Sequence, residues 1–149
     1  MLQKGDKAPD FQGIDQNGKI IKSSDYKEEK YVLFFYPKAS TPGCTAEACD
    51  LRDNEDALQA KGYKIIGVSA DSVKRQKNFS EKYDLTYPLI ADEEKEIINA
   101  FGVWGRKKFM GREYDGIFRT TFLVNEKGII EEIIQKVKTK EHAKQILEL

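Results

Sequence analysis

The chain has 149 residues, 40% of them hydrophobic and 34% charged, which suits one soluble domain (1–149) with a substantial core. Its 25 basic and 25 acidic side chains cancel, which argues against general nucleic-acid binding, since that needs a basic excess on one face. No run is long or apolar enough to span a bilayer and the first residues carry no apolar leader, so the expected location is cytoplasmic.

Ala8-Pro9-Asp10-Phe11 opens an extended entry. Phe11 to Asp15 and Lys19 to Lys22 flank Gln16-Asn17-Gly18, and Asn-Gly between two short runs predicts an N-terminal β-hairpin. Tyr31 to Tyr36 is continuously apolar, as expected of a central buried strand. Thr41 to about Lys61 reads as one long helix ending at Gly62. Tyr63 to Ser69 is a second core strand, and Ser72 caps a helix running to about Tyr83. Tyr87 to Ala91 forms a short strand, followed by a helix from Asp92-Glu93-Glu94 to about Phe101.

From Gly102 to Ile117 four glycines among aromatic and charged residues predict a long surface loop, and Arg106-Lys107-Lys108 is read as solvated rather than as a binding patch. Phe101, Trp104, Phe109, Tyr114 and Phe118 crowd this stretch, as a cover for a sheet edge or as an apolar wall near a pocket. Thr120 to Val124 and Ile129 to Val137 form a hairpin around Asn125-Glu126-Lys127-Gly128, and Thr139 caps a last helix. Strands alternating with helices and closed by a hairpin give an α/β, thioredoxin-like fold: a mixed central sheet flanked by helices, with the N-terminal hairpin added.

Chemistry concentrates in Phe34 to Cys49. Thr41, Pro42, Gly43 and Cys44 read as N-cap, N1, N2 and N3 of a helix, which places the Cys44 sulfur near unpaired N–H groups that favour thiolate. Position alone leaves two readings of Cys44 open, a small buried hydrophobe or an activated thiol. At 100° per residue, Cys44, Ala48, Leu51 and Leu58 share the face that packs on the sheet. Cys49 lies about 140° away on the polar side. In an intact helix the two Cα atoms are about 8–9 Å apart, beyond the reach of about 7 Å that a disulfide allows. Any Cys44–Cys49 disulfide therefore requires the first turns to unwind. That sets the pair apart from Cys-x-x-Cys and disfavours a thioredoxin-type disulfide reductase. The only histidine, His142, sits in a charged C-terminal stretch and is expected on the helix surface without a catalytic role. With two remote thiols it makes a poor zinc site, and no metal or other cofactor is expected.

The pattern Pro37-x-x-x-Thr41-x-x-Cys44 resembles the peroxiredoxin active-site motif. Phe35 to Lys38, Thr41 to Thr45 and Glu47-Ala48-Cys49 are similar to the bacterioferritin comigratory protein (Q-type) subfamily. So are Gly102-Val103-Trp104-Gly105, Tyr114 and Arg119 to Val124, so the resemblance covers nearly the whole chain. Arg106 departs from the acidic residue expected after Trp-Gly. The resemblance implies that Cys44 is the peroxidatic nucleophile, oxidised to sulfenic acid, and that Cys49 resolves it as an intramolecular disulfide recycled by thioredoxin or a similar dithiol. It further implies that Thr41 aligns the peroxide and Pro37 shields the thiol. Arg119 would stabilise thiolate and developing charge, and Glu47 would orient Arg119. The expected activity is a thiol-dependent peroxidase acting on hydrogen peroxide and organic hydroperoxides as a monomer. The alternatives are a thiol–disulfide oxidoreductase or peroxide sensor acting on protein partners, and a non-catalytic thioredoxin-like module.

Overall fold

A computed structural model describes residues 2–149. The chain order is β1 (Gln12–Ile14), β2 (Ile20–Lys22), a 3-10 turn (Ser23–Tyr26), β3 (Lys30–Phe35), α1 (Pro42–Asp53), α2 (Glu55–Ala60), β4 (Tyr63–Ser69), α3 (Val73–Lys82) and β5 (Leu89–Ala91). Then come α4 (Glu96–Ala100), β6 (Trp104–Phe109), β7 (Arg112–Ile117), β8 (Thr120–Val124), β9 (Ile130–Ile134) and α5 (His142–Leu147). Seven strands form one sheet in the order β2-β1-β5-β4-β3-β8-β9. Strands β3, β4 and β5 are parallel, and antiparallel pairs extend the sheet on both sides. This is the mixed, helix-flanked sheet with an N-terminal hairpin expected from the chain order.

Strand β3 is the spine. Its side chains alternate between two cores, as a period of two requires. Val32, Phe34 and Tyr36 face α1, α2, α3 and α5 through Cys44, Ala48, Leu51, Leu58, Phe79, Ala143 and Ile146. Tyr31, Leu33 and Phe35 face α4 and the entry segment through Ile97, Ile98, Phe101 and Phe11. Both β3-to-β4 and β4-to-β5 connections step in the same direction across the sheet, so right-handed crossovers place α1–α2 and α3 on one face. Each large side chain sealed in these cores contributes roughly 1.5–3 kcal/mol.

Four local expectations need correction. Residues 102–117 are not a loop: β6 and β7 pair antiparallel around Met110-Gly111, both at positive φ (51° and 79°) as a tight hairpin turn requires. Gly105 stands opposite Gly116, and the Phe118 ring fills the space over Gly105, where a Cβ would come within 2.7 Å. Arg106 faces Asp115 and Glu113 across the pair at 3.3 and 3.7 Å, so the basic run is half of a cross-strand charge pattern.

The long helix over 41–61 is interrupted at Asn54, whose side-chain amide donates to the Asp50 carbonyl (2.8 Å) and whose backbone leaves helical geometry. The helix expected from Asp92 begins only at Glu96. The Asp92 carboxylate accepts from the Ile98 N–H (2.8 Å) while Lys95 turns through the left-handed region. The last helix starts after Glu141, not Thr139, and its Ala143 N–H donates to Asp50 of α1 (2.8 Å).

Candidate active site

The segment between β3 and α1 lies at the carboxyl ends of the parallel strands, where α/β sheets usually carry their sites. It is tied down on both sides. The Tyr36 hydroxyl donates to Gln76 Oε1 (2.5 Å), and burial pushes its ionisation well above the usual phenol range. The Ala39 N–H donates to Asp71 Oδ2 (2.7 Å), which also accepts from Ser69 Oγ (2.7 Å). Pro37, half-buried, follows the last β3 partner and has no N–H to leave unpaired. Ser40 turns at φ 65°, and Thr41 takes the extended N-cap conformation with Pro42 behind it.

Thr41 occupies the cap position, but its hydroxyl does not cap. It donates backwards to the Lys38 carbonyl (2.7 Å), and no side chain takes the N–H groups of the first turn. The N-terminus of α1 therefore faces the site with its donors open.

Cys44 lies in that first turn, 1% exposed. Arg119, just ahead of β8, reaches it from the sheet: Nη2 donates to Cys44 Sγ (3.4 Å) while Nη1 donates to Glu47 Oε1 (2.7 Å). One planar guanidinium thus spans sulfur and carboxylate, a geometry lysine cannot reproduce. A Cβ on Gly43 would stand 3.2 Å from Arg119 Nη2, so glycine leaves the guanidinium its place. Burial drives the Glu47 carboxyl up to about 7, against the opposing pull of Arg119; the charge of Asp50 adds to the rise. The charges of Cys44 and Glu47 hold Arg119 above its ordinary value in spite of burial.

Behind Glu47 stands His142, which is fully buried rather than on the helix surface. Its Nε2 lies 2.7 Å from Thr121 Oγ1 and 3.5 Å from Glu47 Oε2, and its Nδ1 lies 2.9 Å from Gln145 Oε1. Glu47 Oε2 is buried with no hydrogen-bond partner. Burial lowers the His142 pKa, and the bond to Gln145 opposes that shift. The local signal for this placement is the step from His142-Ala143 to Ile146, three buried positions on one helix face.

The structure brings Cys44 and Glu47 together on the Arg119 guanidinium, with Pro37 and Thr41 in the loop that leads into them. Cys49 is free, half-exposed and outside this cluster. Three tethers hold the α1 turns around it. The Tyr87 hydroxyl donates to the Ala48 carbonyl (2.7 Å), Arg52 Nη1 donates to the Tyr83 carbonyl, and Asp50 holds the start of α5. Beside Arg119 opens a mostly apolar pocket of about 410 Å³, lined by Phe101, Val103, Lys107, Phe118 and Phe122. Of the five aromatics of 101–118, Phe101 and Trp104 cover the core, Phe118 lines this pocket, and Phe109 and Tyr114 are exposed.

The AhpC/TSA family pattern matches residues 4–133. A putative peroxiredoxin Bcp of Haemophilus influenzae is 44% identical over 147 residues, covering 99% of this chain and 95% of that protein. Peroxiredoxin Bcp of Escherichia coli is 43% identical, covering 95% and 90%. Among solved structures, the peroxiredoxin Q of Xylella fastidiosa (a cysteine-to-serine mutant) superposes with a TM-score of 0.92 at 30% identity, covering 99% and 94%. The bacterioferritin comigratory protein of Xanthomonas campestris, solved to study its alkyl peroxide reduction, superposes with a TM-score of 0.86 at 35% identity, covering 93% and 88%.

Proposed function

The chain belongs to the AhpC/TSA family of peroxiredoxins and is a thiol peroxidase, and on that premise we propose that Cys44 is its peroxidatic nucleophile and Cys49 its resolving thiol. The observation that carries this reading is the Arg119 fork, which holds Cys44 Sγ and Glu47 together at the open N-terminus of α1. The Cys44 thiolate attacks the terminal peroxide oxygen and the O–O bond breaks. The sulfur becomes sulfenic acid, and the leaving oxygen departs as water or alcohol after taking up a proton. Arg119 and the α1 N–H groups face the negative charge that moves from sulfur to oxygen. Thr41 and Pro37 align the peroxide and keep water from the sulfur.

The Cys49 thiol then attacks the sulfenic sulfur, forming the disulfide and releasing water. In the folded helix the Cα atoms are about 8–9 Å apart, so α1 must unwind first. A thioredoxin-like dithiol returns the pair to thiols. Substrates are hydrogen peroxide and organic hydroperoxides, whose alkyl chains fit the apolar pocket beside Arg119. The chain acts as a single domain and a monomer, in the cytoplasm. The test is turnover of cumene hydroperoxide with thioredoxin and its reductase, followed by peptide mapping of the peroxide-treated protein. A Cys44–Cys49 disulfide and sustained turnover are expected. An intermolecular disulfide, or oxidation without thioredoxin turnover, would favour a peroxide sensor acting on protein partners.

A further inference from the structure

We propose that Glu47 and His142 form a buried proton-holding pair behind Arg119, with His142 a positioning residue that acts on Cys44 only through Glu47 and Arg119. This rests on the peroxidase reading above. The geometry starts at Gln145, whose amide is oriented by two backbone bonds: Oε1 accepts from the Lys138 N–H (2.9 Å) and Nε2 donates to the Lys136 carbonyl (3.0 Å). Its Oε1 therefore requires a donor from His142, so Nδ1 carries a proton. That leaves Nε2 as the basic nitrogen of the neutral ring, aimed at the Thr121 hydroxyl and at Glu47 Oε2.

Glu47 Oε2, sealed from solvent and without a hydrogen-bond partner, lies 3.5 Å from the same nitrogen. Two acceptors confronted in a dry site repel one another, and a single proton between them relieves the conflict. The Thr121 hydroxyl accommodates both states, since it can donate to a bare Nε2 or accept from a protonated one. The other titratable groups facing the pair are Asp50 on α1, Arg119 ahead of β8, and Tyr87 ahead of β5, with Cys44 beyond Arg119. Asp50 is engaged with the Ala143 N–H and Tyr87 with the Ala48 carbonyl, so neither competes for this proton.

The consequence for the site is directional. With the pair empty, Glu47 carries a full charge and clamps Arg119 in its fork toward Cys44. With the pair loaded, the charge on Glu47 is cancelled, by its own proton or by the imidazolium, and the clamp loosens. The peroxide reaction of Cys44 therefore slows as pH falls through the loading of the pair, in addition to any loss of thiolate.

His142 is the only histidine, so its ring signals in nitrogen-15 NMR of the reduced protein need no assignment. Between about pH 5 and 9, Nδ1 should stay protonated while Nε2 changes in one step as the pair takes up its proton. The step should disappear in Glu47→Gln and persist in Cys44→Ser. In His142→Gln an amide N–H can donate to Glu47 Oε2 and favour the carboxylate, so the matching inflection in the rate of Cys44 oxidation should move down by about one pH unit. An ordinary titration of both ring nitrogens near 6.5, or a step unchanged in Glu47→Gln, overturns the pair. Should His142→Gln fail to fold, the ring signals of the wild type and of Glu47→Gln still decide. A wild-type Cys44 oxidised no faster than free cysteine would overturn the peroxidase reading instead, while the NMR step would judge the pair independently.

Discussion

Replacing Arg119 separates the guanidinium's contribution from that of the helix terminus. Its Nη2 donates to Cys44 Sγ at 3.4 Å and its Nη1 to Glu47 at 2.7 Å, with the Arg119 side chain 23% exposed and Glu47 fully buried. A hydrogen bond to a charged group in such a setting is worth about 1.5–3 kcal/mol. Realised in full as charge moves from sulfur to the leaving oxygen, that interaction makes Arg119→Ala slow Cys44 oxidation by roughly 10- to 150-fold. Arg119→Lys keeps the charge but lacks the fork, cannot serve sulfur and carboxylate together, and should recover only part of the loss. The variant also strips Glu47 of the interaction that opposes its burial, so its carboxyl rises beyond about 7 and is neutral at neutral pH. Stopped-flow oxidation of the reduced proteins by hydrogen peroxide, with iodoacetamide labelling of Cys44 followed by intact mass, gives both readouts. A loss below about twofold in oxidation, with unchanged labelling, would refute a role for the guanidinium in activating this thiol.

Other perturbations follow from the same geometry. Cys49→Ser should leave the first oxidation of Cys44 intact while the sulfenic acid persists and over-oxidises; mass spectrometry showing normal recycling by thioredoxin alone would remove Cys49 from resolution. Gly43→Ala places a Cβ 3.2 Å from Arg119 Nη2 and should slow oxidation several-fold by displacing the fork, with peroxide kinetics as the check. The Glu47 carboxyl, about 7 when folded against an ordinary 4.5, favours the folded state most below about pH 4.5, and that stability is lost as pH rises through about 7. Urea unfolding should therefore show wild type losing on the order of 3 kcal/mol relative to Glu47→Gln between about pH 5 and 8, and parallel stabilities would contradict the buried-carboxyl reading. Leu51→Ala, in the fully buried face of α1, should cost about 2–5 kcal/mol by the same unfolding measurement.

Much of this molecule is legible in its sequence because its strongest signals are local and periodic. Tyr31–Tyr36 announces the central strand, Asn17-Gly18 the first hairpin, and Thr41-Pro42-Gly43 the start of α1. The Ser72 cap forms as expected, accepting from the Arg75 N–H (3.2 Å). The spacing of Cys44, Ala48, Leu51 and Leu58 predicts the buried face, and all four are sealed in the core. The β6–β7 hairpin is hidden because its strands are mostly exposed and polar, and its turn is Met110-Gly111 rather than Asn-Gly. Its pairing shows only as opposed charges, Arg106 against Asp115 and Glu113. The break at Asn54 depends on one side chain bonding one carbonyl, which helical periodicity does not register.

His142 lies furthest from where its local sequence points. A lone imidazole among Lys138, Lys140, Glu141 and Lys144 reads as surface, yet the sheet brings Thr121 and α1 brings Glu47 to it. Contacts between residues 47, 121 and 142 come from tertiary packing alone. The Arg119–Cys44 contact, 75 positions apart, is equally invisible to composition and spacing, and only the resemblance carried by Arg119-Thr120-Thr121 predicts it.

The most direct measurement is the second-order rate at which hydrogen peroxide oxidises Cys44 in the reduced, folded protein, set beside free cysteine thiolate under the same conditions. If the open N-terminus of α1 and the Arg119 fork stabilise the charge passing from sulfur to oxygen, Cys44 should react at least about a hundredfold faster. A rate equal to that of free thiolate would contradict the assignment of Cys44 as the peroxidatic thiol.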